Sequence, residues 1–466
     1  MSLRLPDAVL DLLHQSGEVY EVGGSVRDRL LGREPLDCDY LVRGIALPDL
    51  VDRLRTVGYA DWVGRSFGVI KFTFDTPDGA RATVDVALPR SERSTGPGHR
   101  DFEVNYDPAL PVEADLGRRD FTVNAMAVRL SDGFLIDPFG GREDLARGRL
   151  RLVFAEALEE DPLRILRAFG LVSRLGLSPD DELLTGMRRH AALLSGVSPE
   201  RVAEEFAKLL VHAEKPSPAL RLMRDTGALD VLLPEMKDTV GCDQPGPYHA
   251  YDVFEHTCYT VDAAPPRLAV RWAALLHDVA KPATREVREG KLTFYNHEHL
   301  GAGVARRVLA RLRYGHELED QVAVLVERHL FNTDMGDRGL RRIIRAVGPE
   351  RMGDLLDLRR ADVQGQGMGA PTEDVDRFEA RVQAELAAHR PFSRSDLAVD
   401  GFALMSELGV PPGPRLGQIL DHLLERVLDE PEHNERATLL AWAREFMNFD
   451  TALLACAALG LAFWGG

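Results

Sequence analysis

The chain has 466 residues, 45% of them hydrophobic and 28% charged, and its formal net charge at pH 7 is −17. Because this length exceeds what one hydrophobic core usually organises, we expect three or four compact units. The negative charge argues at face value against a nucleic-acid partner, since phosphate binding needs lysine and arginine. Local arginine clusters permit such a partner without predicting it, at Arg118 and Arg119, at Arg164 and Arg167, and at Arg338, Arg341, Arg342 and Arg345.

The first informative element is a turn between a predicted strand and a predicted helix. Gly23 and Gly24 end a short apolar run at 19–22, and glycine lets the backbone turn tightly and bring its amide N–H groups close to a ligand. Arg27 follows one turn into the helix predicted over 25–31. Backbone amides beside an arginine suit an anion, so this turn is predicted to hold a phosphate.

A set of carboxylates comes next along the chain. Asp37 and Asp39 stand in an apolar run that predicts a strand, where side chains two positions apart share a face. Asp85 lies in a second predicted strand that should neighbour the first, and a buried aspartate is costly unless it is paired or binds a metal. Hard oxygen ligands suit Mg²⁺ held jointly by protein and triphosphate. The three carboxylates therefore predict a nucleotidyl-transfer site.

The rest of this region predicts a small α/β head. Short β-rich runs at 40–42, 69–74, 82–87 and 121–128 alternate with helical stretches at 25–31 and 48–57. The segment 90–116 is polar and rich in Gly and Pro around 95–98, which predicts a mobile loop. The turn at 136–141 is predicted to be a hinge to the next region.

Two charged motifs follow the head strands. Arg118 and Arg119 are adjacent and point in different directions, so one can form a salt bridge within the protein while the other reaches a triphosphate. Asp120 suits holding an arginine or a backbone turn as well as it suits catalysis. Asp161 stands near the start of a predicted helix, where the simple interpretation is an N-cap. It also shares a helix face with Arg164, and an acceptor beside a fork of donors can pair with a base edge.

These motifs resemble, in this order, those of the tRNA nucleotidyltransferase and bacterial poly(A) polymerase family, within the DNA polymerase β superfamily. The matching segments are 23–28, 37–39, 118–125 and 160–167. The resemblance implies that Asp37 and Asp39 hold Mg²⁺ with help from Asp85, and that the nucleotide is bound by Gly24, Arg27, Arg119, Asp161, Arg164 and Arg167. In that family a further arginine often stands three residues after the last of these, whereas this chain has Gly170, so its nucleotide preference is left open. A helix at 198–210 resembles the next family motif and is expected to brace the base-selecting helix.

The second half carries a separate set of histidines and aspartates. An adjacent His-Asp pair in an apolar stretch needs both side chains satisfied inside a core, and a metal satisfies them. The pattern resembles HD-type phosphohydrolases, which hydrolyse phosphate esters through metal-bound water, and implies the ligands His256, His277, Asp278 and Asp362. Imidazole-rich sites favour Ni²⁺, Co²⁺ or Mn²⁺ over Mg²⁺. His297 and His329 are candidates for phosphate or a second metal, and His299 is expected to be structural.

Together these features predict an α+β protein with a nucleotidyltransferase head at 1–150, a helical neck at 151–215, an HD-type body at 216–365 and a helical tail at 366–466. The resemblance implies template-independent addition or repair of the 3′-terminal CCA of tRNA from CTP and ATP, with release of pyrophosphate. It also implies a phosphatase or 2′,3′-cyclic phosphodiesterase in the body. Two alternatives stay open: an enzyme that adds only CC or only A, and an HD phosphohydrolase whose head binds nucleotide without catalysis.

The remaining features concern the environment of the chain. Its cysteines, Cys38, Cys242, Cys258 and Cys456, show no Cys-x-x-Cys spacing, which argues against a zinc site and a disulfide framework and fits a reducing cytoplasm. The apolar segment 451–466 is short for a membrane span and is expected to form a buried terminal helix. No membrane partner is expected, and both a monomer and a homodimer are compatible with the sequence.

Overall fold

The computed structural model describes residues 4–35, 37–63, 68–76, 79–94, 102–244, 250–388 and 390–458. The chain forms two compact units, the first comprising Met1–Lys237 with Arg311–Tyr314 and the second Asp238–Ala310 with Gly315–Gly466. A mixed sheet followed by helices confirms the predicted α+β class. The predicted division into head, neck, body and tail stays a prediction.

The head sheet belongs to the first unit and has seven strands in the order β3-β4-β5-β2-β1-β8-β9. The head elements are α1 (Asp7–His14), β1 (Glu18–Val22), α2 (Gly24–Leu30), β2 (Asp39–Arg43), α3 (Leu47–Arg55), β3 (Tyr59–Val63), β4 (Val69–Asp75), β5 (Arg81–Ala87), β6 (Arg90–Ser94), β7 (Phe102–Tyr106), α4 (Val112–Gly117), β8 (Ala127–Arg129), β9 (Leu135–Ile136) and α5 (Gly141–Ala146). Apolar residues alternate along β4, so that Ile70 and Phe72 join Leu50 and Leu54 of α3 in one core cluster. This packing fixes one face of the sheet.

The strands that carry the predicted carboxylates are direct neighbours. β2 and β5 are parallel, and their register pairs Asp39 with Asp85. The prediction that the strand of Asp85 neighbours that of Asp39 is therefore confirmed. The prediction that Asp37 belongs to the same strand is wrong, because β2 begins at Asp39, opposite the last residue of β1, Val22. β1 turns away at Gly23, so no partner strand continues beside Asp37.

Two other expectations for the head need correction. The segment predicted to be a mobile loop contains an antiparallel hairpin of β6 and β7 and the helix α4, while residues 95–98 lie outside the described part of the chain. The two hairpin strands pair with each other; β6 (RSERS) is polar throughout, whereas β7 (FEVNY) alternates apolar and polar residues, a pattern that the glycine and proline of this segment outweighed in the prediction. The single strand predicted over 121–128 is also wrong, because a 3₁₀ turn at Thr122–Asn124 precedes β8 and buries Phe121 and Val123.

The remainder of the first unit is mainly helical. Its elements are β10 (Arg149–Leu150), α6 (Ala157–Glu160), α7 (Leu163–Leu175), β11 (Ser178–Pro179), α8 (Asp181–His190), α9 (Pro199–His212), α10 (Ser217–Thr226) and α11 (Ala228–Leu232). α7 and α9 pack on each other, and both have one apolar face. The short parallel pair of β10 and β11 departs from the all-helical prediction for this region.

The second unit is also mainly helical, and its hairpin of β12 and β13 again departs from the all-helical prediction. Its elements are α12 (Val253–Ala263), α13 (Leu268–Leu276), α14 (Lys281–Thr284), β12 (Glu286–Arg288), β13 (Lys291–Thr293), α15 (His297–Arg311), α16 (His316–Arg328), α17 (Asp337–Val347), α18 (Met352–Gly365), α19 (Glu373–Ala387), α20 (Gly401–Leu408), α21 (Pro414–Asp429) and α22 (Arg436–Ala458). Within the described ranges, no helix is long and apolar enough to cross a bilayer. Cys38, Cys242 and Cys258 are free and buried, and Cys456 lies among residues whose side chains are not described.

Candidate active site

A cavity of about 750 Å³ opens in the first unit. Its wall is formed by the Gly23 turn, the carboxylate strands, the arginine motif and helices α7 and α9. All nine nucleotide-transfer residues predicted from the sequence line it, namely Gly24, Arg27, Asp37, Asp39, Asp85, Arg119, Asp161, Arg164 and Arg167. The fold therefore gathers side chains from distant parts of the chain around one space large enough for a nucleotide.

The carboxylates form an acidic group at one side of this cavity. Burial raises the pKa of Asp39 to about 6; Arg119 opposes this shift, and the negative charges of Asp37 and Asp85 add to it. Lys71 is the nearest cation to Asp85, with Nζ 2.6 Å from Oδ1. Arg119 and Lys71 therefore do not offset the effects of burial and of the two neighbouring carboxylates on Asp39. A divalent cation held by Asp37, Asp39 and Asp85 fits this set of donors.

The turn at Gly23 and Gly24, called here the phosphate-type turn because it is predicted to hold a phosphate, combines glycine backbone with the guanidinium of Arg27, which is held in place. Gly23 has φ 81° and ψ −133°, and α2 begins at the next residue. A Cβ at Gly23 would lie 2.6 Å from Nη1 of Arg119, so glycine is required both by the backbone and by this contact. Arg27 is buried beside Gly24, donating from Nε to Asp28 Oδ1 (2.8 Å) and from Nη1 to Asn124 Oδ1 (2.6 Å). Its position is therefore set before any ligand binds.

Asp115 of α4 anchors the arginine motif, and the sequence interpretation missed it. Its carboxylate is buried, with Oδ1 2.6 Å from Nη2 of Arg118 and Oδ2 3.3 Å from Nη2 of Arg119. Burial alone would raise the pKa of Asp115, but Arg119 and Arg118 hold it below its usual value. The sequence could have indicated these contacts, since positions 115, 118 and 119 have the spacing of side chains on one helix face.

Asp120 has structural partners in the cavity wall. Its Oδ1 accepts a hydrogen bond from the backbone N–H of Phe121 (2.8 Å), and its Oδ2 lies 3.1 Å from Nη2 of Arg167. Both structural roles considered for Asp120, holding a turn and holding an arginine, are therefore present. Arg167 keeps a side chain that is 46% exposed and lines the cavity, so part of it faces the space for a ligand.

The predicted base-selecting pair, Asp161 and Arg164, lies where α7 begins. Asp161 precedes the helix and caps it, because its Oδ1 accepts a hydrogen bond from the N–H of Leu163 (3.2 Å). Its Oδ2 accepts a hydrogen bond from Nη2 of Arg201 in α9 (2.9 Å), which fits the expected bracing role of that helix. Arg164 is buried over Phe154, and its Nη1 has no hydrogen-bond partner among the described residues. A buried unused donor on a cavity-lining residue suits a ligand acceptor.

The predicted metal ligands of the second unit come together in a buried cluster. The atoms that can bind a metal form two groups that share Asp278, His256 with His277 and Asp278, and Asp278 with His297 and His329. Asp362 completes the cluster, with Oδ1 3.2 Å from Nε2 of His256. The structure thus unites the four predicted ligands and adds His297 and His329, while His299 is exposed and lies against Glu327.

Backbone carbonyls orient three of these imidazoles. The Nδ1 atoms of His277, His297 and His329 donate to Ala274 O (2.8 Å), Phe294 O (2.6 Å) and Val326 O (2.7 Å). The Nε2 atoms are therefore left on the side of Asp278, which lies 3.1 Å, 3.3 Å and 3.8 Å from them. Such fixed tautomers are typical of metal-binding histidines.

The charges in this cluster also favour a cation. Burial would raise the pKa of Asp278, but His277 and Lys281 lower it well below its usual value, so it is ionised. Its two oxygens are buried and form no hydrogen bond of regular geometry with the described residues, although Nζ of Lys281 lies 2.7 Å from Oδ2. Burial and the charge of His277 lower the pKa of His329 to about 3, which leaves a neutral imidazole. The ionised Asp278 and the neutral His329 are in the forms that bind metals. Burial would lower the pKa of His256, but Asp362 and Asp278 raise it, so this ligand must lose a proton when a metal binds.

Three family models match the chain in consecutive order. The poly A polymerase head domain matches residues 19–151, the model described as "Probable RNA and SrmB-binding site of polymerase A" matches 176–239, and the tRNA nucleotidyltransferase domain 2 model matches 298–443. The first match contains the turn, the carboxylates and the arginine motif of the cavity.

Curated relatives extend over most of the chain. A Multifunctional CCA protein of Ralstonia nicotianae is 35% identical over 380 residues, covering 77% of this chain and 85% of that protein. An A-adding tRNA nucleotidyltransferase of Deinococcus radiodurans is 34% identical over 443 residues, covering 91% and 95%. Among solved structures, the Bacillus stearothermophilus CCA-adding enzyme in complex with CTP aligns with a TM-score of 0.70 at 25% identity, over 96% of this chain and 97% of that one.

Proposed function

The chain belongs to the tRNA nucleotidyltransferase and poly(A) polymerase family, and we propose that it completes or repairs the 3′-terminal CCA of tRNA from CTP and ATP. The observation that carries this proposal is the shared cavity, whose lining contains both the carboxylates predicted to bind metal and a residue pair suited to a base edge. We place the reaction in the cytoplasm, where tRNA is processed.

The chemistry is an in-line displacement at the α-phosphorus of the incoming nucleotide. The 3′-oxygen of the tRNA loses its proton and forms a P–O bond, and the bond to the leaving pyrophosphate breaks. Mg²⁺ held by Asp37, Asp39 and Asp85 would supply the positive charge that favours both changes. The chain's own contribution is to hold the triphosphate with the amides of the Gly23 turn and with Arg27 and Arg119, already fixed by Asn124 and Asp115.

Nucleotide choice follows from the order of donors and acceptors on the base. Cytosine and adenine both present an amino group beside a ring-nitrogen acceptor, whereas uracil and guanine present a carbonyl beside a ring N–H. The acceptor Asp161 next to the donor Arg164 matches the first order and opposes the second. Arg201 holds Asp161 as an acceptor that points to the cavity side, so CTP and ATP are both admitted.

Incubation of the pure protein with tRNA lacking its last three nucleotides tests this function. With CTP alone we expect two added nucleotides, and with CTP and ATP three. A specific observation supports a second candidate, an enzyme that adds only the final A, because the A-adding relative aligns over most of both chains. Such an enzyme would extend only tRNA that already ends in CC, and only with ATP; an enzyme that stops at CC would leave ATP unused.

We also propose that the second unit is a metal-dependent phosphohydrolase. The two ligand groups that share Asp278 would offer donors to as many as two ions, and their imidazoles favour Ni²⁺, Co²⁺ or Mn²⁺. Such ions would supply a water molecule of lowered pKa. Metal content measured by mass spectrometry on wild type and Asp278→Asn tests the site directly, and hydrolysis of a 2′,3′-cyclic nucleotide tests the activity. Full metal content in the variant would contradict the proposed ligand.

A further inference from the structure

One end of the cavity carries positive charge that the proposed mechanism does not use. Helix α7 contributes Gly170 and Arg174 to it, and α9 contributes Lys208 and His212. Arg174 stands seven residues after Arg167, so the two project from the same face of α7. This end is therefore continuous with the nucleotide-binding wall.

The positive charge of Arg174 is the least neutralised by neighbouring groups. Among the described residues its guanidinium has no hydrogen-bond or ion-pair partner, although its backbone carbonyl accepts a hydrogen bond from Arg33 Nη1 (3.1 Å). Burial lowers the pKa of Arg174, and the positive charge of Arg27 lowers it further. Arg27 is the arginine of the phosphate-type turn, so the two guanidinium groups lie close enough to repel each other.

The neighbours of Arg174 do not supply the missing negative charge. The nearby acid of α9, Glu205, is engaged by Lys208, whose Nζ lies 2.8 Å from Oε1. Burial lowers the pKa of His212, and the charges of Arg174 and Lys208 lower it further. The other two carboxylates that act on Arg174 also have other roles, since Asp28 pairs with Arg27 (2.6 Å) and Asp37 is a predicted metal ligand.

There is also room for a ligand beside these groups. A Cβ placed on Gly170 would meet no atom within 4 Å, so the helix surface one turn before Arg174 opens onto free space. An uncompensated guanidinium next to free space in a cavity is a site for an oxyanion, which arginine binds through paired N–H groups.

We propose that Arg174, with Lys208 and His212, forms a second anion subsite that takes a phosphate group of the reacting nucleic acid components. This inference rests on the proposed function, which supplies two sources of that group. One is the triphosphate of the incoming nucleotide, and the other is the backbone phosphate next to the tRNA 3′ end.

Equilibrium binding of each source separates them. The dissociation constant of CTP is measured without tRNA, and that of tRNA ending in CC without nucleotide, for wild type, Arg174→Ala and Arg174→Lys. Arg189→Ala is the matched control, because Arg189 of α8 is exposed and lies outside the cavity lining. We expect Arg174→Ala to weaken one of the two ligands about tenfold or more, and Arg174→Lys to recover part of the loss.

The outcomes are distinguishable. Weaker CTP binding alone assigns the subsite to the triphosphate, and weaker tRNA binding alone assigns it to the RNA backbone. Unchanged affinity for both ligands would contradict the subsite. So would a loss of affinity that Arg174→Lys fails to recover and that comes with a lower melting temperature, because this combination indicates a structural role for Arg174. If wild type does not extend tRNA, the proposed function fails instead, and binding of inorganic triphosphate to wild type and Arg174→Ala still tests the subsite.

Discussion

At the scale of single residues, several of the predicted nucleotide-binding groups are held by partners that are distant in the sequence. Arg27 is fixed by Asn124, 97 positions away, and Asp161 by Arg201, 40 positions away. The residue types and local spacing predicted the reactive groups themselves, because glycine turns, paired carboxylates and arginine forks have recognisable chemistry. They could not predict these partners, because only the folded chain brings them together.

The anchoring of Arg119 gives the first prediction. Replacing Asp115 by asparagine keeps its shape but removes the charge that holds Arg118 and Arg119. Because hydrogen bonds to charged groups contribute about 1.5–3 kcal/mol, kcat/KM for CTP should fall roughly ten- to hundredfold. Steady-state incorporation measures this, with Asp132→Asn as control, since Asp132 forms an exposed pair with Arg129. Equal activity of the two variants would show that Arg119 does not depend on Asp115.

A second prediction concerns the selectivity for the base. In Arg201→Ala, Asp161 loses the donor that fixes its orientation, so the carboxylate can rotate away from the base edge. We expect the ratio of kcat/KM for CTP over UTP to fall about tenfold, more than the activity with CTP itself falls. Competition between the two nucleotides measures the ratio. A uniform loss with all nucleotides, and an unchanged ratio, would assign Arg201 a purely structural role.

At the scale of secondary-structure elements, apolar alternation identified β4 and β5 well, since both strands pack one side chain in two into the core. The two hairpin strands β6 and β7 were missed, because β6 is polar throughout and the glycine and proline between the strands favour a loop. The prediction also failed at Thr122–Asn124, where buried side chains come from a turn instead of a strand. Whether such a segment forms a strand or a turn depends on tertiary packing, which the local sequence does not reveal.

That turn is tied to α5 by Asp144, which gives a third prediction. The buried carboxylate accepts hydrogen bonds from Thr122 Oγ1 (2.6 Å), Arg149 Nε (2.6 Å) and Arg151 Nε (3.1 Å). Burial alone would raise the pKa of Asp144, but these three donors hold it below 3.8. Because the folded pKa is the lower one, its contribution to stability is present above pH 3.8 and is lost as the pH falls through the folded pKa.

Asp144→Asn should therefore lower the free energy of unfolding at pH 7 by about 3 kcal/mol or more, because it leaves two arginines without their buried partner. The difference from wild type should shrink as the pH is lowered below 3.8. Urea unfolding followed by circular dichroism at several pH values measures both effects. A difference that stays constant across this range would show that the charge of Asp144 contributes little.

At the scale of the whole molecule, the net charge of −17 was a poor guide to the partner. The arginines that face the cavity occupy one part of the first unit, and the excess of acidic residues is spread over the rest of the chain. A phosphate group responds to the field near its site, because exposed charges farther than about 10 Å are screened at ordinary ionic strength. Summed composition cannot reveal such a local arrangement.

The division into two units gives the last prediction. The transfer carboxylates belong to the first unit and the His-Asp cluster to the second, and no residue is shared between the two sites. Asp39→Asn removes a carboxylate that is predicted to bind metal, so CMP incorporation should fall about a thousandfold or more. The metal content of the second unit and hydrolysis of a 2′,3′-cyclic nucleotide should stay at wild-type levels. Asp278→Asn should give the reverse pattern, and loss of both activities in either variant would show that the two sites depend on each other.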